Sequence, residues 1–217
     1  MTATYDEQKK YFALSYRTGT DTWTHIPFKL KGSSLTKKVP VGSMILDLGS
    51  GRGLWAFQLG EMGYKVIGID YVKDIVDKQN EEVKNRHLEG KVAFVEGDAL
   101  DIPFQDVSYD AVTDWGLMQH LASADWDAYK KEILRVLKPG GYFLMVVFSK
   151  ETTLFRNFNP KISPAGDFDV EGVIHHFFTE KEIEDLFGAE FEIVENEVEF
   201  VPADAHIAYL NVLLRKK

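Results

Sequence analysis

The stretch ILDLGSGRG, Ile45 to Gly53, decides how the chain is read. A mostly apolar run leads straight into three glycines spaced one residue apart. Glycine reaches backbone conformations closed to other residues and carries no Cβ, so such a loop brings bare main chain close to a partner. A phosphate-binding P-loop requires Lys-Ser/Thr after its last glycine. Here Leu54 and Trp55 follow, and that reading fails. A dinucleotide loop has the form G-x-G-x-x-G, and Leu54 stands where its last glycine would be. Taken alone, the loop can still be a structural turn.

Working outward, short apolar runs alternate with longer amphipathic ones. MILDL (44–48), KVIGID (65–70), KVAFVEGD (91–98), YDAVTDW (109–115) and GYFLMVVFSK (141–150) are predicted strands. Helices are predicted over about 54–62, stopped by Gly63, and over 72–87, with Val72, Ile75, Val76 and Val83 on one face. In DWDAYKKEILRVLKPGG, Trp126, Tyr129, Ile133, Val136 and Leu137 recur at helical spacing, and Lys138-Pro139-Gly140-Gly141 reads as the turn that ends the helix. Alternating strands and helices imply βαβ units and a parallel sheet covered on both faces.

The C-terminal part differs. TEKEIEDLFG (179–188) reads as a helix opened by a Thr179-x-x-Glu182 capping box. FEIVENEVEFV and HIAYLNVLLRKK follow as a hairpin, so at least one strand runs antiparallel. The acidic run within the first is expected to face solvent, with Ile193, Val194 and Val198 partly inside. Two segments escape the alternation: the aromatic-rich residues 1–43, with Tyr5, Tyr11, Phe12, Tyr16, Trp23 and Phe28, and about 151–178. Connections this long are often lids or binding loops. The expected organisation is one domain, 1–217: a lid or cap (1–43), a cofactor-binding core (44–150), a substrate loop (151–178), and a terminal helix and hairpin (179–217).

Bulk properties narrow the function. A chain of 217 residues, 45% hydrophobic and 27% charged, can bury one full core as a soluble globular protein. Its net charge of −9 opposes general affinity for nucleic acid or anionic membrane. The absence of cysteine excludes disulfides, thiolate metal sites and a cysteine nucleophile. MTATYDEQKK lacks the apolar core of a signal peptide, and the longest apolar run, residues 142–148, is too short to span a bilayer. A cytoplasmic protein with no bound metal is expected; oligomeric state is not readable.

Acidic residues surround the glycine loop. Asp70 ends the second strand, Asp98 the third and Asp114 the fourth, while Asp47 lies inside the first. Asp70 is placed to accept both hydroxyls of a ribose. Such a cluster repels a diphosphate and favours a nucleoside carrying positive charge.

In order, ILDLGSGRG, VIGID, EGDALDIPF, YDAVTDWGLMQHL and LKPGGYFLMVVFS resemble the successive motifs of class I S-adenosylmethionine-dependent methyltransferases, over roughly residues 44–149. The resemblance implies an α/β, doubly wound, Rossmann-like methyltransferase fold. Its seven-stranded, mostly parallel sheet would have the order 3-2-1-4-5-7-6 with strand seven antiparallel. It also implies S-adenosyl-L-methionine as cofactor and S-adenosyl-L-homocysteine as product. Within the family, TWTHIPF and IHHFFTEKEI make the chain loosely similar to small-molecule members such as the thiopurine and tellurite-resistance groups.

Carried over residue by residue, the resemblance implies that Gly49, Ser50 and Gly51 pass beneath the methionine portion and Asp47 holds its ammonium. Asp70 would bind the ribose and Tyr71 pack on the adenine. Asp98 and Ala99 would read the adenine edge, with Leu100 beside it, and Asp114 and Trp115 would approach the sulfonium. Where amide- and nucleobase-methylating members carry Asn/Asp-Pro-Pro-Tyr/Phe, this chain has Asp114-Trp115-Gly116-Leu117, which disfavours those substrates.

Methyl transfer from a sulfonium is an in-line displacement, so the protein mainly aligns the reactants and excludes water. A hydroxyl or ammonium acceptor also needs a base. His120 is the candidate base or substrate contact, or else a histidine fixing its loop; Met118 reads as packing. One of His175 and His176 is expected at the pocket mouth. Tyr11, Tyr16, Trp23 and His25 form a lid or pack an N-terminal helix onto the domain, and Arg156 pairs with an anionic substrate or is solvated. The expected activity is methyl transfer to an S, O, N or chalcogen nucleophile of a small molecule. A protein lysine acceptor and a non-catalytic nucleoside-binding module remain as alternatives, while Leu54 and the acidic cluster oppose a nicotinamide oxidoreductase.

Overall fold

The computed structural model describes residues 5–21, 33–153, 161–162, 167–170, 172–201 and 204–217. Two helices, α1 (Tyr5–Thr18) and α2 (Ser34–Lys38), precede the sheet. Then β1 (Met44–Leu48), α3 (Leu54–Glu61), β2 (Lys65–Asp70), α4 (Lys73–Asn85), β3 (Val92–Glu96), β4 (Tyr109–Trp115), α5 (Trp126–Val136) and β5 (Leu137–Phe148) alternate. Strands β1 to β5 pair in parallel.

Period-two alternation sends successive strand residues to opposite faces. Ile45, Val66, Ala111 and Leu144 meet Trp55 and Leu59 of α3 and Ile75 of α4. Leu46, Val112 and Phe143 meet Tyr129 and Ile133 of α5 and Ile183 and Phe187 of the later α6 (Glu180–Phe187). Both faces are therefore dry, which is why the strands read as near-continuous apolar runs.

Three short strands, β6 (Lys161–Ile162), β7 (Phe168–Val170) and β8 (Val173–His175), form a separate antiparallel sheet before α6. The hairpin β9 (Phe191–Val201) and β10 (Asp204–Lys216) closes the main sheet, whose order is β3-β2-β1-β4-β5-β10-β9. Counting only the seven strands of this sheet, the order is the expected one; the labels differ because β6 to β8 intervene. Strand β10 runs antiparallel to both neighbours.

Local departures have local causes. Residues 138–141 are not a turn outside the sheet: Tyr109 pairs with Leu137 and Ala111 with Tyr142, so the Pro-Gly-Gly segment is a bulge within β5, with Gly140 at φ 72°. Val194 is exposed rather than partly inside, because the β9 register skips it: Leu213 pairs with Glu195 and Leu214 with Ile193. Residues 151–178 are not a plain loop, since β8 packs on α1, where the Ile174 N–H donates to Gln8 Oε1 at 2.9 Å. Among the described residues, no helix is long and apolar enough to cross a membrane.

The capping box forms as the sequence implies. Thr179 Oγ1 accepts from the Glu182 N–H at 3.2 Å and Glu182 Oε2 accepts from the Thr179 N–H at 2.8 Å. Thr179→Ala is expected to lower stability by about 1 kcal/mol, read as a shift in urea midpoint with unchanged slope; an unchanged midpoint contradicts the role.

Candidate active site

Strand β1 feeds α3 on one face of the sheet, and its neighbour β4 feeds α5 on the other. Such a switch point opens a crevice at the carboxyl ends of the strands, and the glycine loop lies there. Gly49, Gly51 and Gly53 have φ of 60°, 47° and 71°, all left-handed. A Cβ on Gly51 would stand 2.8 Å from the Tyr16 hydroxyl, and one on Gly53 would stand 2.5 Å from the Phe94 ring. Glycine is needed at both for backbone conformation and close approach. The Ser50 N–H donates to the Ile69 carbonyl at 2.8 Å and the Gly51 N–H to Asp70 Oδ2 at 3.0 Å, clamping the loop to β2.

Three of the four expected carboxylates, Asp47, Asp70 and Asp98, line one cavity with this loop. Asp70 also accepts the Val72 N–H at 2.9 Å. Burial pushes Asp47 up to about 7, opposed by its bond to Thr113, and pushes Asp70 up to about 6, opposed by the Val72 and Gly51 amides. Asp98 accepts the Leu100 N–H at 2.9 Å through Oδ1 and the Tyr5 hydroxyl at 2.6 Å through Oδ2.

Asp114 departs from expectation. It is fully buried and faces away from the cavity, accepting from the Leu117 and Met118 amides at 2.7 and 3.0 Å and from Tyr129 Oη at 2.6 Å. It ties the loop after β4 to α5. Leu100, half-buried, packs against the core cluster and does not line the cavity. Trp115 does line the cavity, its ring stacked 5.4 Å from that of buried Trp55, and so do Tyr71 and Ala99.

Helix α1 roofs this floor. Tyr5, Gln8, Phe12 and Tyr16 recur at helical spacing and all line the cavity. The roof is tied down at both ends. Arg52, just past Gly51, donates to Asp21 and, at 3.0 Å, to the Tyr16 carbonyl; such bidentate pairs hold orientation as well as energy. At the other end Tyr5 meets Asp98 and its ring contacts Tyr71 edge-on at 5.4 Å. Tyr11 is not on this wall; its ring lies against Phe12.

Beyond Trp115 the cavity continues past Leu121, Phe148 and Tyr209 to Gln119 and His120. His120 sits in a 3₁₀ turn, Met118–His120, with Met118 fully buried as packing. Its Nδ1 is 2.8 Å from the Ile174 carbonyl. Burial holds its conjugate acid down at about 3, and the neighbouring His175 ring, 4.8 Å away, adds to this. His120 is therefore neutral and a weak base. His175 stands behind it. His176 turns away into a separate buried cluster with Asp167 at 3.0 Å and Trp126, so neither histidine forms the mouth of the cavity. Trp23, His25 and Arg156 lie outside the described residues.

Sequence reasoning named Tyr5 and Phe12 only as members of the aromatic-rich lid segment and passed over Gln8, Arg52, Gln119, Phe148 and Tyr209 as site residues. Tyr5, Gln8 and Phe12 carried a usable signal, a helical stripe continuing to Tyr16. Phe148 and Tyr209 did not, since their meeting depends on β10 returning beside β5.

Residues 45–141 match the family model of a methyltransferase domain. The demethylmenaquinone methyltransferase of Lactococcus lactis subsp. lactis (strain IL1403) is 36% identical over 115 residues, 51% of this chain and 44% of that protein. That of Clavibacter sepedonicus is 39% identical over 111 residues, 50% of this chain and 42% of that protein. The chain thus spans about half the length of the curated relatives it matches. Among solved structures, the 1,6-didemethyltoxoflavin-N1-methyltransferase of Burkholderia thailandensis, holding 1,6-didemethyltoxoflavin and S-adenosylhomocysteine, has the same fold at TM-score 0.81 and 24% identity, covering 98% of this chain and 88% of that one. A SAM-dependent methyltransferase of Methanosarcina mazei aligns at TM-score 0.68 and 25% identity, covering 83% of this chain and 95% of its own.

The raised value of Asp47 makes a pH prediction. Its folded value of about 7 exceeds the ordinary 3.8, so its contribution to stability is fullest below about pH 4 and is lost as pH rises through 7. Asp47→Asn keeps an acceptor for Thr113 and removes that loss. Between about pH 5 and 8 the stability difference, by urea denaturation, should move in favour of the variant; a difference constant with pH contradicts the burial of this charge.

Proposed function

Because residues 45–141 match a methyltransferase domain, we propose that the protein is a class I S-adenosylmethionine-dependent enzyme that transfers a methyl group to a small, flat, largely apolar acceptor. The cofactor is S-adenosylmethionine. The observation that carries the proposal is the two-part cavity: carboxylates and a bare glycine loop at one end, aromatic walls with two neutral polar side chains at the other.

The donor set suits the cofactor. Asp70, beside the loop, takes the ribose; Asp98 and Ala99 take the adenine edge, with Tyr71 against its ring. Asp47 and residues 49–51 take the methionine end, and Trp115 the neighbourhood of the sulfur. Bound there, the cofactor supplies an electrophilic methyl on a positively charged sulfur. The carboxylates stabilise that charge more than they could a pyrophosphate. In the transfer one C–S bond breaks as the bond from the acceptor to the methyl carbon forms, and the acceptor atom gives up its proton if it carried one.

The chain contributes alignment and dryness. Helix α1 covers the cavity, held by Arg52 and Tyr5. His120 serves as a substrate contact rather than as the base, since an imidazole that protonates only near 3 takes little proton at neutral pH. Support for a ring acceptor comes from the relatives named for demethylmenaquinone and from the neighbour that holds 1,6-didemethyltoxoflavin.

Calorimetry should detect micromolar binding of S-adenosylmethionine or S-adenosylhomocysteine (about −8 kcal/mol), and an acceptor screen should release the latter. Asp70→Asn is expected to weaken binding about tenfold or more, whereas Asp114→Asn costs stability and leaves affinity near wild type. No heat with either compound removes the proposal.

A further inference from the structure

We propose that the acceptor presents to Gln119 and His120 a ring edge on which a hydrogen-bond donor and acceptor stand on neighbouring atoms, as in the N–H/C=O edge of a lactam or its enol form. The inference rests on the methyltransferase reading and names the substrate class of that site.

The polarity of both side chains is fixed by main-chain groups whose roles cannot change. The Ile174 carbonyl, 2.8 Å from His120 Nδ1, can only accept. The proton must therefore sit on Nδ1, and Nε2 carries a lone pair. The Phe148 N–H, which can only donate, lies 2.7 Å from the Gln119 side-chain oxygen. That contact sets the amide orientation, so the NH₂ end faces His120 Nε2 at 3.3 Å. An acceptor nitrogen and a donor nitrogen thus stand side by side on the cavity wall.

Their contact with each other is long, and it uses one of the two N–H groups of the amide. No partner for the second appears among the described residues, although Gln119 is only 5% exposed. A buried donor left unfilled is unfavourable, and a ligand carbonyl would fill it. A ligand N–H or enol O–H would meet His120 Nε2 at the same time. The surroundings suit a ring: Phe12 lies 5.3 Å from His120, and Phe148 and Tyr209 stack at 5.3 Å nearby. A phenol has a single oxygen, which could donate to His120 and accept from Gln119 only by standing between two nitrogens 3.3 Å apart, whereas a lactam edge gives each nitrogen its own atom. An anionic acceptor would find no guanidinium or ammonium beside this pair among the described lining residues, since Arg52 is held by Asp21.

The test uses full-length protein saturated with S-adenosylhomocysteine and three probes: lumazine, its N,N-dimethyl derivative, in which both ring N–H groups are blocked, and a naphthol. Calorimetry should find lumazine bound at least about tenfold more tightly than either of the others. Gln119→Leu and His120→Phe should each remove most of the advantage of lumazine over its dimethyl derivative while S-adenosylhomocysteine affinity stays unchanged. The ligand comparison needs no variant, so it decides the matter even where a substitution unfolds the protein. Equal binding of the dimethyl derivative, tighter binding of the naphthol, or no heat from lumazine overturns the inference. Failure of S-adenosylhomocysteine itself to bind would instead remove the methyltransferase reading.

Discussion

The fold places carboxylates where water is scarce, and that constraint organises the rest of the site. Asp70 accepts two main-chain amides, Gly51 from the loop and Val72 from the start of α4. It therefore sets the shape of the glycine turn as well as its charge. Asp47, just beneath, is buried against Thr113. Burial raises both, Asp47 to about 7 and Asp70 to about 6, and a positive charge brought beside them lowers them again. Its scaffold supports the negative groups mainly through amide and hydroxyl donors, with Lys9 also favouring the charged form of Asp70.

Helix α1 completes the enclosure. It reaches the floor through Arg52 at one end and Asp98 at the other, and it reaches β8 through Gln8. Ile174, whose N–H donates to Gln8 Oε1, also orients His120 through its carbonyl. Roof, small sheet and acceptor wall are therefore linked through hydrogen bonds from the side chains of Gln8 and His120 to the main chain of Ile174. That linkage suits a reaction in which closure and alignment do most of what the protein contributes.

Much of the fold was legible because its signals are short-range or periodic. The five parallel strands and their helices follow from apolar runs and helical spacing, the capping box from Thr179 and Glu182 alone, and the hairpin from two adjacent strands. The bulges in β5 and β9 were not legible, since a register slip depends on the partner strand. The floor of the site was readable where chemistry follows strand ends: Asp47, Asp70 and Asp98 meet. Asp114 follows the same rule in sequence and fails it in space, because Tyr129 from α5 draws it inward. The acceptor wall was hardest. Gln119 stands beside His120 in the chain, but its meaning depends on an amide of β5, and the tautomer of His120 on a carbonyl of β8.

The central claim is that buried carboxylates wait for a cation, and proton counting tests it most directly. Titrating S-adenosylmethionine into the protein near pH 6.5 in two buffers of different ionisation heat gives the number of protons exchanged on binding. Asp47 and Asp70, held at about 7 and 6, are partly protonated there, and a bound cation drives them to ionise. The account expects net proton release, larger for S-adenosylmethionine than for uncharged-sulfur S-adenosylhomocysteine and fading above about pH 8. Binding with no proton release, or with uptake, would contradict it.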